Sequence, residues 1–355
     1  MDYYLLGRSG LRVSELCLGA MTFGTEWNSG ADLEGSRAVF DAYLEAGGNF
    51  VDTANIYTNG TSEKFLGEMI PAHRDYLVLA TKYTMTMTRG TDPNAGGNHR
   101  KNLVQTVEGC LKRLKTDYID LLWIHAWDFL TPVDEVMRAL DDLVRAGKIL
   151  YVGISDAPAW VVAQCNTMAE LCRWTPFCAL QIEYSLVERT PERDLLPMAR
   201  AFDLAVTPWS PLGGGVLTGK YLKKAEDEAR RMGADSGKLS ERNMAIAREV
   251  VAVAEEVGKS PAAVALAWLR AQNNQIIPIV GARRVDQLKD NLTCLDFKLS
   301  CEQLQRLDDV SRIELGFPHD FLNHTSKDTV YGGMRERLVD HRDRRLGTGG
   351  RVVGC

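Results

Sequence analysis

Four side chains that could take part in proton transfer each follow a short apolar run in this sequence. They belong to Asp52, Tyr57, Lys82 and His125. Apolar runs of this length, separated by helical patterns, are typical of buried strands, and a parallel barrel collects the carboxyl ends of its strands on one face. An acid, a phenol, an amine and an imidazole on that face indicate proton transfer to a carbonyl group.

Strand and helix patterns alternate about eight times along the chain. The candidate strands begin near Leu16, Asn49, Leu77, Ile119, Leu150, Ala179, Ala205 and Ile276. This alternation predicts a parallel sheet that closes into a (β/α)8 TIM barrel. An open doubly wound sheet is the alternative fold, but the turn at residues 18–24 lacks the Gly-x-Gly-x-x-Gly spacing that such a sheet would carry.

Three segments fall outside the eight repeats. Residues 3–13 predict a small N-terminal β-hairpin. Residues 212–240 are rich in Gly and charge and lie between the seventh strand and its helix, where a long excursion either shapes the active-site mouth or is disordered. We expect one barrel domain over residues 1–315, and an extra C-terminal helix and tail over residues 316–355 that contact substrate or a partner chain.

Composition argues against several classes of function. The net charge of -5, with basic residues near the C-terminus interrupted by acids, gives no electrostatic case for binding nucleic acid. No apolar stretch reaches the roughly 18 residues of a membrane helix, and the start lacks a signal-peptide pattern. The eight cysteines contain no C-x-x-C pair and no cluster has metal-ligand spacing, so we expect buried free thiols, no metal and a cytoplasmic protein. The oligomeric state stays open.

The segments around the four candidate residues closely resemble the aldo-keto reductase superfamily. Residues 48–57 read Gly-Asn-Phe-Val-Asp-Thr-Ala-Asn-Ile-Tyr, residues 62–67 follow with Ser-Glu-Lys-Phe-Leu-Gly, and the blocks at 80–82 and 121–125 come in the family's order. The resemblance runs from about residue 3 to about residue 312. It implies a (β/α)8 barrel that binds a nicotinamide dinucleotide without a Rossmann domain and reduces carbonyl groups on small molecules.

Elementary chemistry supports a role for each of the four residues. Hydride arrival places negative charge on the carbonyl oxygen, and Tyr57 would supply the proton. The ammonium of Lys82 would stabilise the phenolate, Asp52 would keep that ammonium charged, and His125 would orient the carbonyl. Taken singly, each residue also has a structural interpretation, such as a surface tyrosine, a helix cap, a strand-end lysine or a core histidine.

By resemblance, the later strand ends hold the nicotinamide. Ser155, position 156 and Gln181 would bind its carboxamide, and Trp209 would stack on its ring, although Trp209 could also fill the barrel core. The family usually carries Asn where this chain has Asp156. Because an ionised Asp can only accept hydrogen bonds, it could serve the carboxamide NH2 but not the carboxamide oxygen.

The resemblance also implies which residues hold the phosphates and the adenosine. The residues for the pyrophosphate are Ser210, Leu212, Gly214 and Lys220. The last block resembles the bacterial and plant-type branch of the family that carries Gly-Ala-Arg; it comprises Gly281, Arg283, Gln287 and Asn291. It opens a helix, and helix N-termini attract phosphate. Arg283 is the candidate for a 2′-phosphate, which favours NADPH over NADH, and Asn291 with Gln287 would contact the adenine.

The mouth of the predicted barrel is rich in aromatic residues and methionine. The candidate substrate contacts are Phe23, Trp27, Tyr83 and Trp127. Such side chains suit a bulky apolar aldehyde or ketone. Two other functions stay open, a cofactor-binding regulatory subunit with slow turnover and a barrel lyase that forms a Schiff base on Lys82.

Overall fold

A barrel of eight parallel strands forms the centre of the molecule. The computed structural model describes residues 1–88, 90, 92–222, 237–272, 275–325, 329–334 and 337–338. In sheet order the strands are β10 (Ile279–Gly281), β3 (Cys17–Gly19), β4 (Phe50–Asp52), β5 (Val78–Tyr83), β6 (Ile119–Ile124), β7 (Ile149–Ser155), β8 (Ala179–Glu183) and β9 (Ala205–Trp209). Each of the eight predicted strands is present, and the predicted TIM-barrel fold is confirmed.

The ring closes between β9 and the segment that leads into β10. Val206 donates its backbone N–H to the Gln275 carbonyl at 2.8 Å, and Ile277 donates to the Val206 carbonyl at 2.8 Å. On its other side β10 pairs in parallel with β3. All eight strands therefore direct their carboxyl ends to one face, as the prediction from the sequence requires.

Helices cover the outside of the barrel. Those of the described residues are α1 (Leu33–Glu45), α2 (Thr61–Met69), α3 (Arg100–Leu114), α4 (Val133–Arg145), α5 (Ala159–Cys172), α6 (Leu195–Ala201), α7 (Glu241–Val257), α8 (Pro261–Arg270), α9 (Val285–Leu292), α10 (Cys301–Ser311) and α11 (His319–Thr325). In α3, Leu103, Val107 and Leu114 are fully buried, as helical spacing predicts. None of these helices is long and apolar enough to cross a membrane.

The predicted N-terminal hairpin closes the amino end of the barrel. Strands β1 (Tyr3–Leu5) and β2 (Arg12–Ser14) pair antiparallel, and Leu6 and Val13 are fully buried among the residues inside the barrel. Gly7 makes this fit possible, because its φ is +54° and a Cβ there would lie 2.2 Å from a backbone carbonyl oxygen. The hairpin leaves the opposite end of the barrel for a ligand.

The chain continues beyond the barrel into α10 and α11. Ser300 and Gln303 form a capping box at the start of α10, and Leu307 is buried against the barrel helices. On α11 and just before it, Phe321 and Phe317 are exposed. The extra C-terminal helix is therefore confirmed, whereas residues 339–355 of the predicted tail lie outside the described residues and the domain boundary at residue 315 stays a prediction.

Most of the cysteines match the expectation of buried thiols. The buried free cysteines are Cys17, Cys110, Cys165, Cys178 and Cys294. The expectation is wrong for Cys172, which is free but exposed, and for Cys301, which is exposed and disulfide-bonded. Burial raises the pKa of both Cys165 and Cys178 to about 12, so these thiols are poor nucleophiles at neutral pH.

Candidate active site

A buried ion pair lies at the carboxyl ends of two neighbouring strands. Lys82 of β5 is fully buried, and its Nζ donates to Asp52 Oδ2 on β4 and to the Thr53 carbonyl at 2.9 Å. The second carboxylate oxygen of Asp52 accepts a hydrogen bond from Gln181 Nε2 across the barrel at 3.0 Å. Burial by itself lowers the pKa of Lys82, but the opposing effects of Asp52 and Tyr57 outweigh it and raise that pKa. The lysine therefore stays an ammonium.

Tyr57 lies next to this ammonium. The backbone after Tyr57 turns through left-handed conformations, with φ of +46° at Thr58 and +54° at Asn59, and Thr58 Oγ1 donates to the Phe23 carbonyl at 2.6 Å. The turn places Lys82 Nζ 4.9 Å from the centroid of the Tyr57 ring. Burial raises the pKa of Tyr57, and the positive charge of Lys82 opposes the rise without cancelling it. The phenol is thus protonated at neutral pH and can donate a proton.

His125 also lies beside the Tyr57 ring. The two ring centroids are 5.8 Å apart in an edge-to-face arrangement. Burial first, and the Lys82 charge second, lower the pKa of His125 to about 3. The imidazole is therefore neutral at physiological pH, and its buried Nδ1 has no hydrogen-bond partner among the described residues.

A single pocket of about 730 Å³ runs from these residues toward α9. Asp52, Tyr57 and His125 line one end of it, while Lys82 lies beneath them. The pocket is also lined by each of the twelve residues predicted to hold a dinucleotide, which are Ser155, Asp156, Gln181, Trp209, Ser210, Leu212, Gly214, Lys220, Gly281, Arg283, Gln287 and Asn291. Together with the four candidate catalytic residues, the fold therefore brings these predicted residues together from seven strand ends, β4 to β10.

The part of this pocket predicted to hold the nicotinamide presents polar groups to a ligand. Ser155 Oγ is buried, and no described group forms a well-directed hydrogen bond with it. Asp156, in a left-handed conformation with φ of +44°, accepts a hydrogen bond from Trp209 Nε1 at 3.0 Å. The amide of Gln181 instead donates to Asp52. An orphaned buried hydroxyl beside an aromatic ring fits a planar ligand that carries a carboxamide.

A glycine-rich turn forms the middle of the pocket wall. Gly213, Gly214 and Gly215 all have positive φ, and Gly214 donates its N–H to Ser210 Oγ at 3.2 Å. A Cβ at Gly215 would lie 2.8 Å from Lys220 Cε. Only glycine keeps this backbone close to a lysine, and such a turn suits a phosphate-bearing ligand.

At the far end the pocket meets the start of α9. Gln287 Oε1 accepts a hydrogen bond from the Arg283 N–H at 3.0 Å, so this side chain holds the turn into the helix. The next arginine, Arg284, is bound by both carboxylate oxygens of Asp286 at 2.9 Å. Arg283 makes no ion pair within the described part of the chain, and it lines the pocket with the buried Asn291.

Two of the four predicted substrate residues are in the wrong place for that role. Phe23 and Tyr83 are fully buried and do not line the pocket. Tyr83 follows Lys82 on β5, and successive strand residues face opposite sides, so its ring packs in the helix layer with its hydroxyl near the Asn98 carbonyl. Trp127, which is 8% exposed, and Trp27, which is 40% exposed, do not line the pocket either, but Trp27 contacts the Tyr57 ring edge-to-face at 6.2 Å.

Several pocket residues were not singled out from the sequence as site residues. Ile56 lies next to Tyr57, Thr22 donates to the Ala282 carbonyl at 3.3 Å, and Lys238 lies in the wall, where it pairs with Glu183 at 2.5 Å. Lys238 belongs to the 212–240 excursion. The position of this excursion after the seventh strand could have indicated that it contributes residues to the pocket. Ile56 was visible only as a neighbour of Tyr57.

Comparisons with known proteins identify the family of this chain. A family model described as the aldo/keto reductase family matches residues 15–312. A norsolorinic acid reductase of Emericella nidulans is 42% identical over 341 residues, covering 93% of this chain and 87% of that protein. An NADP(+) aryl-alcohol dehydrogenase of Phanerodontia chrysosporium is 38% identical, covering 87% and 86%. An aldo-keto reductase of Aspergillus calidoustus is also 38% identical, covering 93% and 86%. The chain therefore belongs to the aldo/keto reductase family of oxidoreductases.

Proposed function

We propose that this chain is an NADPH-dependent carbonyl reductase that reversibly converts bulky aryl aldehydes or ketones to alcohols. The observation that carries the proposal is the meeting of two residue sets in one pocket. Tyr57, His125 and the Asp52–Lys82 pair lie at one end, and twelve residues with the chemistry of a dinucleotide site line the rest.

The pocket wall supports the dinucleotide. Its features are the orphaned Ser155 hydroxyl, the glycine turn at 213–215, and the cations Lys220, Lys238 and Arg283. The guanidinium of Arg283 could donate hydrogen bonds to a 2′-phosphate. The name of the aryl-alcohol dehydrogenase relative includes NADP(+). When bound, the nicotinamide supplies hydride to the carbonyl carbon or takes it back.

Tyr57 acts as the general acid. Reduction leaves negative charge on the carbonyl oxygen, and the protonated phenol donates to it. The resulting tyrosinate would be stabilised by Lys82, whose charge already opposes the rise in the pKa of Tyr57. Asp52 keeps the buried lysine ionised, so the three groups work as one unit.

His125 assists as a neutral hydrogen-bond donor. With a pKa of about 3 the ring is neutral at physiological pH and has no imidazolium proton to give, so Tyr57 is the better acid. A neutral imidazole still has one N–H, which can donate a hydrogen bond to the substrate oxygen.

The catalytic end of the pocket favours an aryl substrate. Met21, Ile56 and Met85 line it, and the partly exposed Trp27 packs against Tyr57. Flexible methionines and an aromatic edge suit flat apolar rings. The names of the relatives point the same way, since one is an aryl-alcohol dehydrogenase and another reduces norsolorinic acid.

The experiment is a substrate panel with the purified protein. Benzaldehydes and aryl ketones are compared with short polar aldehydes, using NADPH and NADH in turn and following absorbance at the reduced nicotinamide band. We expect aryl carbonyls with NADPH to give the highest kcat/KM. Faster reaction of the short polar aldehydes would overturn the substrate class, and no turnover of any carbonyl would favour the regulatory-subunit alternative.

The Schiff-base alternative is disfavoured by the state of Lys82. A Schiff base needs a neutral, accessible amine. Lys82 is fully buried, its pKa is raised, and it is paired with Asp52. Borohydride trapping of a carbonyl compound on Lys82 would support the lyase alternative.

A further inference from the structure

Asp156 is an unusual charge at the nicotinamide end of the pocket. Its Oδ1 accepts a hydrogen bond from the neutral indole N–H of Trp209 at 3.0 Å, and both residues line the pocket. The Asp156 backbone is fixed on both sides, since its N–H donates to the Gln181 carbonyl and its carbonyl accepts from the Trp127 N–H, each at 3.3 Å. The carboxylate is therefore held in place at the wall of the pocket.

The neighbouring charges are each neutralised by a partner. Asp52 is paired with Lys82, and Glu183 is paired with Lys238. Among the described residues, no cation forms an ion pair with Asp156, whose charge is stabilised first by the indole N–H and then, more weakly, by the Ser155 hydroxyl and by the charge of Lys82. Of the carboxylates Asp52, Glu183 and Asp156, Asp156 is thus the one without an ion-pair partner in the described part of the chain.

We propose that Asp156 makes the pocket bind the oxidised dinucleotide more tightly than the reduced one. The two forms differ at the nicotinamide ring, which is cationic when oxidised and neutral when reduced. A fixed carboxylate attracts the cationic ring, and a ligand that fills the pocket displaces water and so reduces the screening of that attraction. The proposal rests on the proposed dinucleotide-dependent function. It adds a residue that sets which oxidation state of the dinucleotide the pocket binds more tightly.

The test is the affinity of both cofactor forms for wild type and Asp156→Asn, measured by isothermal titration calorimetry without substrate. Asn keeps an oxygen that can accept from Trp209, so the variant removes charge with little change of shape. We expect the ratio Kd(NADPH)/Kd(NADP+) to fall by about fivefold or more in the variant. The attraction between two opposite unit charges several ångströms apart, at an effective dielectric of about 20, is large enough that its loss weakens NADP+ binding by at least this factor.

Two further variants separate charge from structure. Asp156→Glu keeps the charge and should keep the wild-type ratio. Asp290→Asn removes another carboxylate that lines the pocket beside Asn291, and it should change both dissociation constants by the same factor. If both forms bind but the ratio in Asp156→Asn stays within twofold of wild type, this proposal is wrong and the proposed function is untouched. If neither form binds wild type, both are wrong.

Discussion

The ammonium of Lys82 lies 4.9 Å from the centroid of the Tyr57 ring and is at the same time paired with Asp52. The carboxylate keeps the lysine charged in a fully buried position, and the lysine in turn favours the ionised form of the phenol. Burial acts on the phenol in the opposite direction and dominates in the free protein. Tyr57 is thus an acid that holds its proton until negative charge develops nearby.

Breaking the buried pair on one side should destabilise the fold. Lys82→Met leaves Asp52 without its cation, and Asp52→Asn leaves Lys82 without its anion; each is expected to cost about 3–5 kcal/mol in the free energy of unfolding. Urea denaturation at neutral pH measures the loss.

The double variant Lys82→Met with Asp52→Asn serves as the control for that prediction. It removes both charges, so much of the lost stability should return while turnover stays absent. Single variants within about 1 kcal/mol of wild type would show that the pair contributes little to folding.

His125 should make the protein sensitive to acid. Its pKa falls from 6.5 to about 3 on folding, so between these values the histidine is protonated in the unfolded chain and neutral in the native state. The free energy of unfolding is therefore undiminished by this residue above pH 6.5. At pH 5 it is lower by about 2 kcal/mol, because the unfolded chain is stabilised by protonation of His125. Urea unfolding of His125→Gln should depend less on pH between 6.5 and 4.

The exposed His324 on α11 provides the matched variant for this experiment. His324→Gln should leave the wild-type pH dependence unchanged. If His125→Gln and wild type lose stability in parallel as the pH falls, His125 is not the buried neutral group described here.

Gly215→Ala should weaken binding of the dinucleotide. A methyl group at φ of +96° is strained and would meet Lys220 Cε at 2.8 Å, which moves both the turn and the lysine. We expect Kd for NADPH to rise about tenfold, equivalent to roughly 1.4 kcal/mol, as followed by titration calorimetry. Gly10→Ala, in the hairpin turn with nothing within 4 Å of its Cβ, should bind as wild type does. Equal affinity for the two variants would contradict the assignment of the glycine turn.

Trp27→Ala should raise KM for aryl aldehydes more than for short aldehydes. Trp27 packs edge-to-face on Tyr57 and is partly exposed, so it can shield a flat ring from water. An increase of about tenfold in KM for benzaldehydes is expected from the loss of one aromatic contact. Leu171→Ala removes an exposed apolar side chain at the end of α5 and provides the control. A uniform change across all substrates would argue against a direct contact.

The strand ends were predictable because each follows an apolar run whose position along the chain defines its place on the barrel. Lys82 and Asp52 could be placed this way, since parallel neighbours align their carboxyl ends. The inward or outward direction of a side chain near a strand end was harder to predict. Tyr83 was assigned to the pocket, yet one residue along the strand reverses the face.

Loop residues were predicted less completely. Phe23 lies in a loop whose backbone turns it into the core, where it is fully buried, and no periodic pattern in the sequence shows such a turn. The Gln181 contact with Asp52 joins residues far apart in sequence and depends on the diameter of the barrel interior. Such contacts follow from the closed geometry and not from local patterns.

The most direct test of the catalytic assignment is steady-state reduction of an aryl aldehyde by NADPH with wild type and Tyr57→Phe. Phe keeps the ring beside Lys82 and His125 but has no proton to give. We expect an unchanged Kd for NADPH and a kcat lower by about three orders of magnitude or more. A variant that retains a tenth or more of the wild-type kcat would contradict the role of Tyr57 as the acid.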